Sequence, residues 1–231
     1  MIGVSVDEGV GRIDGGFVNA YVFQDPSGTY LVDTTMSRSG KPVRKAFARA
    51  DVGLDKVGTI LLTHQHVDHV RGAARLQRDS RALVTCHAAD APFVEGRIVP
   101  KTPLLFRLFF KPRPVAVGRP LNDGDMVGPF RVVFVPGHTV GEVAFYHPER
   151  KILFSGDSVV ERKGSLTLPG TRFAADLSQA VRSLQVLRKL EVELLLPGHG
   201  VPVRKEIPAL LNDLITRAPT EFLGGAGNRS P

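Results

Sequence analysis

Apolar residues in this chain come in short blocks, and most of the blocks are too short to be helices. Val18–Phe23, Thr29–Val32, Thr59–Thr63, Leu83–Cys86, Val132–Val135, Val143–Tyr146, Ile152–Phe154 and Leu194–Leu196 are rich in Val, Ile, Leu and aromatic residues. Gly, Pro and Asp turns break them up, and the pattern predicts strands. Helical spacing appears elsewhere. Lys41–Ala50 and Val70–Arg78 are candidates, and Leu177, Ala180, Val181, Leu184, Leu187 and Leu190 form an apolar stripe. Asp176, with Gln179 three residues on, reads as a capping box opening that stripe. Ile207, Leu210, Leu211 and Leu214 mark a last helix. Strands and helices mixed throughout predict an α/β chain in which helices cover sheets. The 231 residues suffice for a sizeable core. The chain reads as a single domain over residues 1–223 with a flexible Gly-, Ser- and Asn-rich tail at 224–231.

Composition is that of a globular protein, 42% hydrophobic and 23% charged, with no apolar run long enough for a membrane span. Met1–Glu8 lacks a basic start and an apolar stretch behind it, so no secretory signal is expected. Cys86 is the single cysteine, which rules out an internal disulfide, and its apolar flanks predict a buried, inert thiol. Together these features point to the cytoplasm. The net charge of +7 permits affinity for anionic substrates, nucleic acid or a membrane surface, and solvated surface charge is the plainer reading. Gly96–Pro120 stands apart. It carries six Lys or Arg residues, no acidic residue, four prolines inside Pro100–Pro114 and the apolar run Leu104–Phe110. A substrate lid, a homodimer contact, a surface-binding patch and a helix snorkelling its basic residues to water are the readings it allows.

The chemistry sits in Thr63-His64-Gln65-His66-Val67-Asp68-His69, an H-x-H-x-D-H pattern directly after an apolar strand. His64 and His66, at i and i+2 near a strand end, point the same way and suit one ion. Asp68 and His69 lie in the loop that opens the next helix and can address a second. Three further ligand-type residues each follow an apolar strand: His138 after Val132–Val135, Asp157 after Ile152–Phe154 and His199 after Leu194–Leu196. Imidazole and carboxylate are ligands that zinc and its divalent neighbours accept. Five of the seven histidines are thereby used, and His87 and His147 read as structural or surface residues.

These motifs resemble the metallo-β-lactamase-fold hydrolase superfamily, with its H-x-H-x-D-H run followed by His, Asp and His, and the match extends from about Val4 to Val203. The resemblance implies a four-layer αβ/βα sandwich with its site at the edge between two sheets. It implies that His64, His66 and His138 hold one metal, that Asp68, His69 and His199 hold the second, and that Asp157 bridges both. Asp68 and Asp157 are the catalytic candidates. Asp33 and Thr139 are candidates for orienting the imidazoles. The cofactor is two divalent ions, zinc first, with manganese, iron or cobalt open. Two such ions would turn a bridging water into hydroxide near neutral pH.

An Asp at the bridging position resembles the branch of glyoxalase II-type thioesterases, lactonases, phosphodiesterases and RNases rather than secreted β-lactamases. After Asp157 the chain reads Val159-Val160-Glu161-Arg162-Lys163-Gly164, where glyoxalase II and persulfide dioxygenases carry a Gly-Cys-Gly-Arg-type segment. Val160 stands where homoserine-lactone lactonases carry a tyrosine. About thirty residues follow His199, fewer than the glutathione-holding helices of glyoxalase II occupy. The expectation is a binuclear metallohydrolase that cleaves a small, anionic carbonyl ester, thioester or lactone. A phosphodiesterase or nuclease, an iron-dependent oxygen- or persulfide-handling enzyme and a non-catalytic binding module are the alternatives.

Overall fold

The computed structural model describes residues 1–99, 112–170 and 174–218. Residues 100–111 of the basic Gly96–Pro120 segment, including Leu104–Phe110, and the tail at 224–231 lie outside the described residues. By its contacts the chain divides into two compact units, Met1–Asn122 and Asp123–Pro231.

The first unit is built on a seven-stranded sheet in sequence order: β1 (Val4–Asp7), β2 (Val10–Asp14), β3 (Asn19–Asp25), β4 (Gly28–Val32), β5 (Val57–Leu61), β6 (Leu83–His87) and β7 (Arg119–Leu121). β1 to β4 are antiparallel, whereas β4 to β7 run parallel. Parallel neighbours need crossovers, and helices supply them. These are α1 (Lys41–Arg49) between β4 and β5, then α2 (Val67–Val70) and α3 (Ala73–Ser80) between β5 and β6, with α4 (Ala91–Val94) after β6. Val43 and Phe47 of α1 and Ala73 and Leu76 of α3 pack with Ala20, Val22, Leu31, Ile60, Val84 and Cys86 in one core. The intervening residues Tyr21, Phe23, Tyr30, Leu61 and Thr85 are buried as well. Burial on both faces explains why these strands read as continuous apolar runs rather than as an alternation.

Two sequence expectations shift here. The strand expected at Thr59–Thr63 starts and ends two residues earlier. Leu62 N–H still donates to the Thr85 carbonyl (2.9 Å), but the next donor, Thr63 N–H, goes to the Asp33 carboxylate (2.9 Å), so the ladder stops. The helix expected at Val70–Arg78 is two helices joined at Gly72. A Cβ on Gly72 would lie 2.7 Å from the Thr34 carbonyl oxygen, so the backbone passes closer than any other residue permits.

The second unit holds a five-stranded sheet of β8 (Met126–Val127), β9 (Phe130–Phe134), β10 (Val143–His147), β11 (Ile152–Gly156) and β14 (Leu194–Pro197), in the order β14-β11-β10-β9-β8. A separate hairpin pairs β12 (Val160–Arg162) with β13 (Ser165–Thr167). Two helices, α5 (Leu177–Leu187) and α6 (Ile207–Ala218), bury Ala180, Leu184, Leu187, Ile207, Leu211 and Leu214 against Val133, Ala144, Leu153 and Leu195. The Asp176 cap is present: its Oδ1 accepts from Gln179 N–H at 2.8 Å. Among the described residues no helix is long and apolar enough to cross a membrane.

Cys86 sits in β6, fully buried, and burial above all, with Asp90 and Glu95 adding negative charge, pushes its thiol pKa far up. Thiolate is the reactive form. In native protein at pH 8, Cys86 is therefore expected to react with a disulfide reagent at least about a hundredfold more slowly than in urea-unfolded protein. Comparable rates in the two states would show that the strand opens readily.

Candidate metal centre

Strand direction places the candidate ligands. In the first unit β4, β5 and β6 are parallel, so the residues that follow them share one edge of the sheet. Asp33 follows β4, the His64–His69 run follows β5, and Asp90 follows β6. In the second unit β9 and β11 are each antiparallel to β10, and β14 is parallel to β11. All three therefore end at one edge, where His138, Asp157 and His199 follow them. The recurrence of strand and then ligand in the sequence is the linear trace of these two sheet edges.

Around β5 the side chains are close. The His64 and His66 rings meet edge to face with centroids 4.9 Å apart, and the His64 and His69 rings are 4.1 Å apart. One ligand atom of His64 lies within 4.8 Å of one on His66 and of one on His69. Asp68 and His69 lie inside α2 rather than in a loop before it, because His66, extended at φ −64° and ψ 146°, already caps that helix. Asp68 Oδ2 sits 3.8 Å from His69 Nε2.

One carboxylate sets the protonation of two of these rings. Asp33 Oδ2 accepts from His69 Nδ1–H (2.8 Å) and from the Thr63 hydroxyl (2.8 Å), while its Oδ1 accepts from Thr63 N–H. The Thr63 hydroxyl has one proton and gives it to Asp33. Its 3.0 Å contact with His64 Nδ1 must then be an N–H donation from the ring. Both imidazoles are thereby fixed as Nδ1–H tautomers, with Nε2 carrying the lone pair a metal needs. Asp33 is 2% exposed and holds φ at +58°, and Thr35 holds +66°, a region that a β-branched residue rarely enters. The Thr34 N–H and hydroxyl both donate to the His69 carbonyl (2.8 and 2.6 Å), which anchors the strained turn to α2. Such strain at a cluster of candidate ligands marks a place where geometry outweighs local preference.

In the second unit Asp157 Oδ2 lies 3.4 Å from His138 Nε2 and 3.2 Å from His199 Nε2, so one carboxylate oxygen faces two imidazoles. Gly198 N–H donates to the Gly156 carbonyl (2.8 Å), holding the ends of β14 and β11 side by side. Asp157 N–H donates to the fully buried Glu142 carboxylate (2.8 Å). The His138 loop is bolted to the start of α5 by Ala175 N–H to the His138 carbonyl (3.0 Å) and Asp176 N–H to the Gly137 carbonyl (2.8 Å). Thr139, expected to orient an imidazole, accepts Gly137 N–H with its carbonyl (3.0 Å) and so shapes the loop through its backbone.

Gly137 makes that docking geometrically possible. Its φ is 137°, and a Cβ there would stand 2.1 Å from Ala180 N and 2.4 Å from Ala180 Cα, both backbone atoms of α5. Gly137→Ala must push the loop off the helix. A loss of about 1–3 kcal/mol in urea unfolding is expected, together with a fall in bound metal read by elemental analysis. Wild-type values for both would mean that the loop and α5 separate without consequence.

Three supporting residues were not singled out from the sequence: Thr63 as the link between His64 and Asp33, Glu142 behind Asp157, and Asp90. Asp90, fully buried, accepts Gln65 N–H at 2.8 Å and fixes the backbone between His64 and His66. Among these, only Thr63 had a local signal, its place next to the motif. His87 and His147, read from the sequence as structural or surface residues, are buried, and each Nδ1 accepts a backbone N–H of a nearby turn, from Ala89 (3.2 Å) and Arg150 (3.3 Å) respectively.

Residues 13–199 match the family model of the metallo-beta-lactamase superfamily. The probable metallo-hydrolase YybB of Bacillus subtilis is 26% identical over 185 residues, covering 79% of this chain and 80% of that protein. A hydroxyacylglutathione hydrolase of Cereibacter sphaeroides is 34% identical over 150 residues, which is 63% of this chain and 49% of that enzyme. Among solved structures, TTHA1623 in a di-iron-bound form superposes with a TM-score of 0.68 at 32% identity, covering 83% of this chain and 92% of that one.

Proposed function

The chain belongs to the metallo-beta-lactamase superfamily and is a metal-dependent hydrolase, and from that premise we propose that it cleaves a small carbonyl ester, thioester or lactone at a two-metal centre. His64, His66 and His138 would hold one ion, Asp68, His69 and His199 the other, and Asp157 would bridge them. Zinc is the metal proposed, with iron as the alternative that the di-iron relative favours. The observation that carries this reading is the Asp33–Thr63 clamp, which leaves Nε2 of His64 and of His69 as lone-pair donors. His87 and His147 show the opposite pattern, each Nδ1 accepting a backbone N–H rather than donating.

When bound, ions of this kind generate a nucleophile from water near neutral pH and polarise the scissile carbonyl. The chain's own residues do the rest. Asp33 accepts the Nδ1 proton of His69 directly and orients His64 through Thr63, so neither ring has to rotate during turnover. Glu142 and Asp90 hold the backbone of the ligand loops from behind. Asp68 is the partly exposed carboxylate beside His69, and we give it and Asp157 the task of receiving the proton released as water attacks. Among carbonyl substrates we place the thioester first, because the relative at 34% identity is named for an acyl-glutathione. We propose a cytoplasmic location for this activity.

The test is a matched panel of an acyl-glutathione thioester, an aliphatic lactone and an aryl phosphodiester, assayed on metal-replete protein of measured metal content. Carbonyl substrates turned over at least about tenfold faster than the diester, with close to two ions per chain, are expected. A diester preference would replace this reading with the phosphodiesterase one, which the charge of +7 favours.

A further inference from the structure

The first unit carries a second feature that the metal centre does not use. Arg38, Ser39, Arg75, Arg78 and Arg113 line a cleft of about 300 Å³. That volume is at the lower end for small-molecule sites. The lining brings four arginines together and, among the described residues, contains no acidic side chain. Among the described residues, Asp79 is a carboxylate in contact with the lining. It binds Arg75 Nε at 3.0 Å and Arg44 Nε at 3.4 Å, so it neutralises at most one of the four. The cleft therefore keeps a charge of at least +3, and gathering like charges in this way costs free energy unless an anion offsets it.

The cleft is also held in shape. Arg75 and Arg78 stand three residues apart on α3 and share one helix face. Asp79 accepts from Nε of Arg75 at 3.0 Å and so holds that side chain against the helix. Arg38 and Ser39 sit on a turn closed by Gly40 N–H to the Ser37 carbonyl (2.8 Å), and the Ser37 hydroxyl accepts Lys41 N–H (3.1 Å). Gly40 rests against α3 so tightly that a Cβ there would lie 2.7 Å from the Leu76 side chain. The turn and the helix are thus fixed on each other, which sets the backbone positions from which Arg38, Arg75 and Arg78 extend.

We propose that this cleft is a binding site for a diphosphate or similarly charged phosphate group on a small molecule. A single carboxylate would leave most of the charge unbalanced, whereas a diphosphate carries about −3 near pH 7.5 and offers oxygens in pairs to planar guanidinium forks. The same chemistry has two sources: a nucleotide bound as an effector, or the phosphate-bearing end of a thioester substrate. Only the second rests on the hydrolytic reading.

Calorimetric titration of the metal-replete chain with pyrophosphate, ADP, inorganic phosphate and citrate tests the site itself and needs no turnover. Pyrophosphate and ADP are expected to bind at least about tenfold more tightly than phosphate or citrate, with affinity falling steeply as salt rises. The double variant R38A/R78A should weaken both by at least about tenfold. Both residues are exposed, so its melting temperature should match wild type, which separates lost binding from lost folding. No detectable pyrophosphate binding, undiminished binding in R38A/R78A, or citrate binding as tightly as pyrophosphate would each overturn the proposal. So would an oligonucleotide bound far more tightly than ADP and lost in the same variant. Competition then separates the two sources. ADP that competes with a diphosphate-bearing thioester but not with a phosphate-free one identifies a substrate subsite, and ADP that binds without competing identifies an effector. If the cleft binds ADP while no thioester is hydrolysed, the site stands and the thioester preference falls.

Discussion

Asp157→Asn is expected to lower hydrolysis by at least about a thousandfold and to release metal, while cooperative unfolding survives. Asp157 Oδ2 faces the Nε2 atoms of both His138 and His199. An amide at that place either puts a neutral oxygen between the rings or turns its NH₂ toward them. Either way a negative charge is lost where the proposed site gathers cations. The backbone is spared, because Glu142 accepts Asp157 N–H whatever the side chain is. Metal content, steady-state rates and a urea transition on the same preparation decide the matter. Full activity at low metal content would remove Asp157 from the site, and a collapsed transition would make its role structural.

Asp33→Asn should have the next largest effect, through the rings it orients rather than through contact with a substrate. Asparagine tolerates the left-handed backbone that Asp33 adopts, so the turn is preserved. It has one acceptor oxygen, whereas Asp33 receives Thr63 N–H, the Thr63 hydroxyl and His69 Nδ1–H on two. With the amide nitrogen facing His69, that ring is pushed to the other tautomer and its Nε2 acquires a proton. Metal affinity should fall about 10- to 100-fold, and the mismatch among buried donors should cost about 1–3 kcal/mol in urea unfolding. Asp33→Ala adds the strain of alanine at φ 58°, about 1–2 kcal/mol more. A variant that keeps its metal but loses stability would show that Asp33 supports the turn and not the tautomers.

These two carboxylates differ in how far the sequence announced them. Asp157 is visible because it follows an apolar strand, as do His138 and His199, and parallel alignment puts such positions on one sheet edge. Asp33 could be suspected for the same reason, at the end of Leu31-Val32-Asp33-Thr34. That it reaches His69, 36 residues away, and works through Thr63 depended on the parallel pairing of β4 with β5. Glu142 and Asp90 were invisible. Acidic residues near turns are common, and only their full burial behind the ligand loops distinguishes these two. The arginine cleft was equally hidden, since Arg38, Arg75 and Arg113 are far apart in a chain that is basic throughout.

The sequence by itself determined the α/β class, most strand and helix positions and the superfamily, and it supplied the candidate ligands. Strands follow from short apolar blocks, and ligand types are restricted enough that their spacing is informative. Tertiary structure decided where the β5 ladder stops, that Gly72 splits a helix, which carboxylates orient the imidazoles, and which guanidiniums meet. The physical reason is range. Periodicity and turn chemistry act over a few neighbouring residues, whereas a buried carboxylate finds its donors, and a positive cleft finds its members, only after distant strands have been paired.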